Sequence, residues 1–181
     1  GRGERARIAL LGDGIDDLPL MLQDRRFEAG RLVLPGGMIT TMQGARGDTI
    51  LVNGTPNAVA RVPARSVRLR LVNASNARDY HLAFDDGRAF HWIASDGGLL
   101  EAPLERRSIA LSPGERAEIL VDFSTGAAAT LMTGPDTNAP MMGMGMGMMG
   151  GTGGGAFADL DRVVAQPREE RRDRGRRRHH R

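Results

Sequence analysis

The chain has 181 residues, of which 26% are charged, 40% hydrophobic and only 4% aromatic, and it contains no cysteine. That length supports one domain with an aliphatic core plus flanking segments, and the missing cysteine excludes disulfides, thiolate metal sites and cysteine nucleophiles. The net charge of +3 is uneven: residues 165–181 hold eight Arg against three acids, residues 1–164 hold 17 Arg against 19 acids, and no Lys occurs. The high isoelectric point therefore belongs to the tail rather than to a basic binding face.

Residues 1–16 (GRGERARIALLGDGID) read as a connector from a preceding domain. Gly1 to Arg7 is charged and no apolar segment with a cleavage site follows, so no signal peptide is legible. Asp13, Asp16 and Asp17 lack the alternation, the sixth-position Gly and the distal Glu of a calcium loop. Asp17 to Phe27 is the first expected strand, with Leu18, Leu20 and Leu22 on one face and Met21 on the other. Residues 28–47 are punctuated by glycine and read as loop or short strands. Asp48 to Asn53 is the next strand, closed by Asn53-Gly54, a strong turn signal. An extended piece runs between Pro56 and Pro63. Ser66 to Val72 alternates, with Val67, Leu69 and Leu71 toward a core and Arg68 and Arg70 away from it.

Tyr80 to Phe84 and Ala89 to Ala94 are expected as the two arms of an aromatic hairpin around Asp85-Asp86-Gly87, with His81 opposite the Tyr80, Leu82 and Phe84 face. Arg106 to Leu111 follows. Ser112-Pro113-Gly114-Glu115 has the type II turn preference. Ala117 to Phe123 turns Ala117, Ile119, Val121 and Phe123 inward and Glu118 and Asp122 outward, and Ala128 to Met132 is the last strand of the unit. Seven or eight short strands at roughly 8–12-residue spacing describe an all-β sandwich, and no segment has a convincing helical period.

The expected organisation is a connector over 1–16, a folded domain over 17–136, a Met/Gly-rich linker over 137–164 and a disordered Arg-rich tail over 165–181. Residues 141–155 are six Met, eight Gly and one Thr, a composition that cannot order itself without a partner. Ala156 to Val164 is expected as a short element.

Most chemical constellations fail on spacing. His81 and His91 lack the His-x-His pattern that lets one strand converge on a metal, and His179-His180 lies in the Arg tail. No G-x-S-x-G accompanies Ser95-Asp96 and His91 for triad chemistry. The acid pairs Asp16-Asp17 and Asp85-Asp86 suit turns, where Asp bonds its own backbone. Glycines 150–155 lack the Gly-Lys-Ser/Thr ending of a phosphate loop. The Arg tail attracts anions but has no aromatic or folded platform for specific nucleic-acid readout, and no apolar run approaches the ~20 residues of a membrane span. The remaining chemical candidate is the tract Met141, Met142, Met144, Met146, Met148 and Met149, because thioether sulfur is a soft neutral ligand suited to Cu(I).

In order, DDLPLMLQDRRF, GDTILVNG, VRLRLVNASNAR, IASDGGLL and GERAEILVDF resemble the middle cupredoxin domain of a three-domain bacterial multicopper oxidase of the copper-efflux, cuprous oxidase type. The resemblance covers about Ile15 to Asp136. It implies a cupredoxin-like Greek-key β-sandwich. It also implies that the full-length protein is periplasmic and oxidises Cu(I) or similar substrates while reducing dioxygen to water. Copper is then held by His-x-His pairs and a His-Cys-His motif in the first and third domains, which are absent here. On this resemblance the chain is a structural spacer that binds no copper tightly by itself, packs against the two flanking cupredoxin domains, and has the Met tract as its Cu(I) contact. The alternatives are the middle domain of a copper-free cell-division relative that keeps the architecture as a scaffold, and a stand-alone β-sandwich with a Cu(I)-binding arm.

Overall fold

A computed structural model describes residues 16–34, 36–136 and 163–168. It contains twelve strands and one helix: β1 (Asp17–Glu28), β2 (Arg31–Val33), α1 (Met38–Gln43), β3 (Thr49–Val52), β4 (Val59–Pro63), β5 (Ser66–Asn73), β6 (Tyr80–Phe84), β7 (Phe90–Ser95), β8 (Gly98–Arg106), β9 (Ser108–Leu111), β10 (Arg116–Asp122), β11 (Ala129–Thr133) and β12 (Val163–Arg168). Seven strands form one sheet in the order β2-β1-β5-β10-β7-β8, with β3 also on β1, and five form the other in the order β4-β12-β11-β6-β9. The all-β sandwich read from the alternation is therefore the fold.

The alternating positions build the core. Val67, Leu69 and Leu71 of β5 meet Ala117, Ile119 and Val121 of β10 across an antiparallel ladder in which Leu69 lies opposite Ile119. Leu20 and Leu22 join them from β1, which runs parallel to β5. Tyr80, Leu82, Phe84, Ile109, Leu111 and Leu131 close the core from the opposite sheet. The few aromatic rings gather at one edge, where Phe84 meets Phe90 and Phe123 edge-on at centroid distances of 6.2 and 6.4 Å, the geometry their quadrupoles favour. Arg88 lies over the Phe123 ring at 4.8 Å and is tied to Asp86 at 2.7 Å.

Two turns hold as read. Asn53 and Gly54 have φ of 50° and 78°, the two positive values of a two-residue hairpin turn, and Val52 and Thr55 exchange backbone bonds of 2.9 and 3.0 Å. The Asn53 side chain adds a stitch to β1 by accepting from Met21 N and donating to Pro19 O. Gly114 has φ of 87°, and Glu115 N donates to Ser112 O, as a type II turn requires.

Several expectations are corrected. Tyr80–Phe84 and Phe90–Ser95 are not arms of a hairpin: β6 pairs β9 and β11, while β7 pairs β8 and β10. Asp85-Asp86-Gly87 carries the chain from one sheet to the other, and Phe84 and Phe90 on either side of it both point into the core and meet edge-on. Met38–Gln43 is a short helix within the segment read as loop or strand. Gly98–Arg106 is an edge strand that had no signal, since both its faces are largely exposed and it has no alternation. Val163–Arg168 is also a strand, parallel to β4 and antiparallel to β11. Residues 1–15, the tract Met141, Met142, Met144, Met146, Met148, Met149 and the pair His179-His180 lie outside the described residues.

Leu69 and Ile119 are 5% and 0% exposed. Either Leu69→Ala or Ile119→Ala is expected to cost ~2–4 kcal/mol, as for a buried aliphatic truncation with limited collapse. Chemical denaturation measures it, and a loss below about half a kcal/mol would contradict the register described.

Candidate functional site

The densest polar constellation lies at one end of the sandwich, where β5 gives way to the loop NASNARD before β6. Asn73 ends β5 on an inward-facing position and is fully buried. Its amide donates to Leu111 O at 2.9 Å and Arg78 O at 2.8 Å and accepts from Ser75 N at 3.0 Å, bending the chain into the loop. The Ser75 hydroxyl accepts from Asp24 N and bonds the Tyr80 hydroxyl, each at 3.0 Å. The Asp24 carboxylate, 1% exposed, meets Arg78 at 3.2 Å and accepts from Gly47 N at 2.6 Å. Arg78 also donates to Gly47 O at 2.8 Å. Only glycine fits at 47, since a Cβ there would lie 2.3 Å from the Arg25 backbone.

Beside this, Arg46 is a second clasp. It donates to Gln43 O and Ala77 O, each at 2.8 Å, and pairs with Asp136 at 2.9 Å. Asp136 also accepts from Asp79 N at 3.3 Å. Sequence reasoning missed Asp24, Arg46, Arg78 and Asp136 as a group, because they come from segments as much as 112 positions apart. The legible signal was the run of Asn, Ser, Asn and Arg at the end of an apolar strand.

A second array covers the outer face of the seven-stranded sheet. Arg68 bridges Asp17 at 3.4 Å and Glu118 at 2.9 Å, Arg70 meets Asp17 at 2.8 Å, and Arg65 meets Asp16 at 2.7 Å. The charges read as the solvated or interface side of β5 are thus paired across β1, β5 and β10.

These arrangements hold separate segments of the chain together. The carboxylates face fixed guanidinium groups. The Tyr80 phenol, fully buried, is pushed up by burial to about 12, so it stays protonated at neutral pH. The Asp86 carboxyl is held below the usual range by Arg88, and the Asp96 carboxyl by Arg116. Asp96 is thereby engaged away from any triad with His91, and Asp85 accepts from Thr130 N on β11.

Copper does not fit the described residues. His81 is on β6 and His91 on β7, in different sheets, and both point outward. Their rings therefore diverge across a sandwich about 10 Å thick. Among the described residues no group of three or more His, Asp or Glu is placed to hold a metal. No described helix is long and apolar enough to cross a membrane.

The two-sheet topology and the polar corner define a cupredoxin-like sandwich domain. Residues 32–133 match the multicopper oxidase family, and the chain belongs to that family. It is 47% identical over 121 residues to the cell division protein FtsP of Dickeya dadantii, covering 67% of this chain and 25% of the relative. It is 44% identical over 124 residues to the FtsP of Salmonella typhimurium, with the same coverage. Among solved structures it resembles the laccase-like multicopper oxidase CueO of Ochrobactrum sp., with TM-score 0.74, 38% identity, and coverage of 92% of this chain and 34% of that one. It also resembles a variant of the McoA multicopper oxidase of Aquifex aeolicus, with TM-score 0.71, 35% identity and coverage of 91% and 34%. The chain thus spans about a quarter of the length of the curated relatives it matches.

Arg78→Ala leaves the Asp24 carboxylate buried without its cation and is expected to cost roughly 3 kcal/mol, the lower end for a broken buried pair because Arg78 is itself 23% exposed. Denaturation of the variant checks this. Tyr80 is the single tyrosine, so its ultraviolet tyrosinate band reports it alone. Its folded pKa lies above the ordinary 10.0. Its contribution to stability is therefore complete below pH 10 and is lost as pH rises toward 12. A tyrosinate band that appears at pH 10 while the fold persists would place the phenol in water.

Proposed function

We propose that this chain is the scaffold domain of a longer multicopper-oxidase-like protein, packing between first and third cupredoxin domains, with redox copper, where the protein uses it, held by those domains. The observation that carries this reading is the use of charge. Asp16, Asp17, Asp24, Glu118 and Asp136 each pair with an Arg in joining separate segments, and the fold's two histidines diverge. A role in cell division, as an interaction scaffold without copper, is supported by identities of 44–48% to FtsP proteins.

A second reading keeps the copper chemistry: a periplasmic oxidase that converts Cu(I) to Cu(II), passes the electrons to dioxygen and so serves copper tolerance. Its support is the similarity to solved multicopper oxidases and the soft thioether tract Met141, Met142, Met144, Met146, Met148 and Met149. In this reading the tract delivers or buffers Cu(I), and the present domain still performs no redox step.

Anaerobic titration of the chain with Cu(I) against a competing chelator separates the readings. With all six tract methionines changed to Leu, affinity is expected to fall about tenfold or more, equivalent to ~1.4 kcal/mol or more, if the tract is a copper contact. Unchanged affinity removes the tract from the copper reading and leaves the scaffold role. Translation of the flanking DNA decides the remainder. His-x-His pairs upstream and His-Cys-His downstream support the oxidase, while intact cupredoxin domains without them support the copper-free scaffold.

A further inference from the structure

Asn53 does more than close a turn. β1 and β3 run in register as far as Leu22 opposite Val52. One step further on, Asn53 N still donates to Met21 O at 2.9 Å. An antiparallel pair would return a bond from Met21 N to the Asn53 carbonyl, but the Asn53 backbone has turned into the left-handed region at φ 50°. Its side-chain Oδ1 accepts that bond instead, at 2.8 Å. Nδ2 then donates to Pro19 O at 2.9 Å. Proline has no N–H, so its carbonyl is the one ladder group Pro19 offers. The primary amide thus acts as an extra peptide unit of β3, with its acceptor and its donor both used.

The residue that follows makes this amide chemically vulnerable. Of the five asparagines, Asn53 alone precedes glycine and the other four precede alanine. Glycine has no side chain to shield its nitrogen, so the Gly54 amide can attack the Asn53 carboxamide carbon when the two are aligned. The step forms a bond from Gly54 N to Asn53 Cγ and breaks the Cγ–Nδ2 bond. The Gly54 amide proton passes through water to the departing nitrogen, which leaves as ammonia, and a five-membered imide remains. Water then adds to either imide carbonyl. One product is aspartate; the other is isoaspartate, in which the main chain runs through the side-chain carbon.

Alignment is what the fold withholds. Attack needs the carboxamide rotated onto the Gly54 nitrogen, and that rotation breaks both side-chain bonds to β1. The turn itself must also yield, while Val52 and Thr55 exchange backbone bonds of 2.9 and 3.0 Å across it. We propose that Asn53-Gly54 is a deamidation site gated by the β1–β3 seam: the closed seam suppresses the reaction and local opening releases it. Conversion is then self-reinforcing. A carboxylate can accept from Met21 N but has no hydrogen for Pro19 O, and isoaspartate adds a backbone atom to a turn built for two residues. The site therefore records opening of this edge irreversibly, with water as the only co-reactant.

The chain is incubated at mildly alkaline pH, and amide loss at each asparagine is read by peptide mass spectrometry, with isoaspartate detected by isoaspartyl methyltransferase labelling. In urea sufficient to unfold the chain, Asn53 is expected to convert fastest of the asparagines, and at least about tenfold faster than in the folded chain. Equal rates overturn the gate. Urea concentrations below the unfolding transition separate the seam from the fold as a whole. There, Asn53 conversion is expected to rise in parallel with hydrogen exchange of the Asn53 amide, which reports its bond to Met21 O. Conversion that proceeds while that amide stays protected overturns the proposal. Asn53→Asp tests the consequence. Exchange of the position-53 amide, relative to its intrinsic rate, is expected to be several-fold faster than in the unaltered chain, and an unchanged rate overturns the self-reinforcement. None of these outcomes bears on copper binding or on the scaffold role.

Discussion

The carboxylate of Asp24 is the constraint on which the rest of this structure depends. It is buried at the end of a sandwich whose interior is mostly apolar, and an uncompensated charge there would be costly. Compensation comes from the Arg78 guanidinium and the Gly47 amide. The adjoining backbone amide of Asp24 is satisfied by Ser75, which also engages Tyr80. Satisfying one residue therefore positions the loop before β3, the end of β5, the NASNARD corner and the start of β6. Arg46 extends the same logic to α1 and to the chain exit at Asp136.

That economy recurs among the described residues, where Asp16, Asp17, Glu118 and Asp136 also pair with arginines. These ionisable groups serve as rivets. The paired ladder on the outer face of the larger sheet stiffens β1, β5 and β10 as a unit, and the buried phenol is held protonated. A sandwich with such polar seams fits the scaffold role proposed for it.

How much was legible varied with the kind of signal. The stripe Val67, Leu69, Leu71 and the stripe Ala117, Ile119, Val121 were readable because a half-buried strand has a period of two. The Asn53-Gly54 and Pro113-Gly114 turns were readable because positive φ demands those residues. The strand Gly98–Arg106 was hidden because an edge exposed on both faces has no alternation to show. The Tyr80–Phe84 and Phe90–Ser95 pair misled, since Asp-Asp-Gly marks a turn equally well within a sheet and between two sheets. The strand Val163–Arg168 was obscured by its Arg and Pro and by the long Met/Gly stretch before it. The acid–base partners were invisible as partners, because nothing local links Asp24 to Arg78 or Arg46 to Asp136.

By itself the sequence determined which segments are strands with an inside and an outside, where two tight turns fall, and that cysteine and lysine chemistry are absent. These properties depend on residues a few positions apart. Only the tertiary structure decided which sheet each strand joins, that His81 and His91 face away from each other, and that the buried charges meet their partners. Those outcomes depend on burial and on contacts between segments distant in the chain, where the cost of an unsatisfied charge rather than local propensity selects the arrangement.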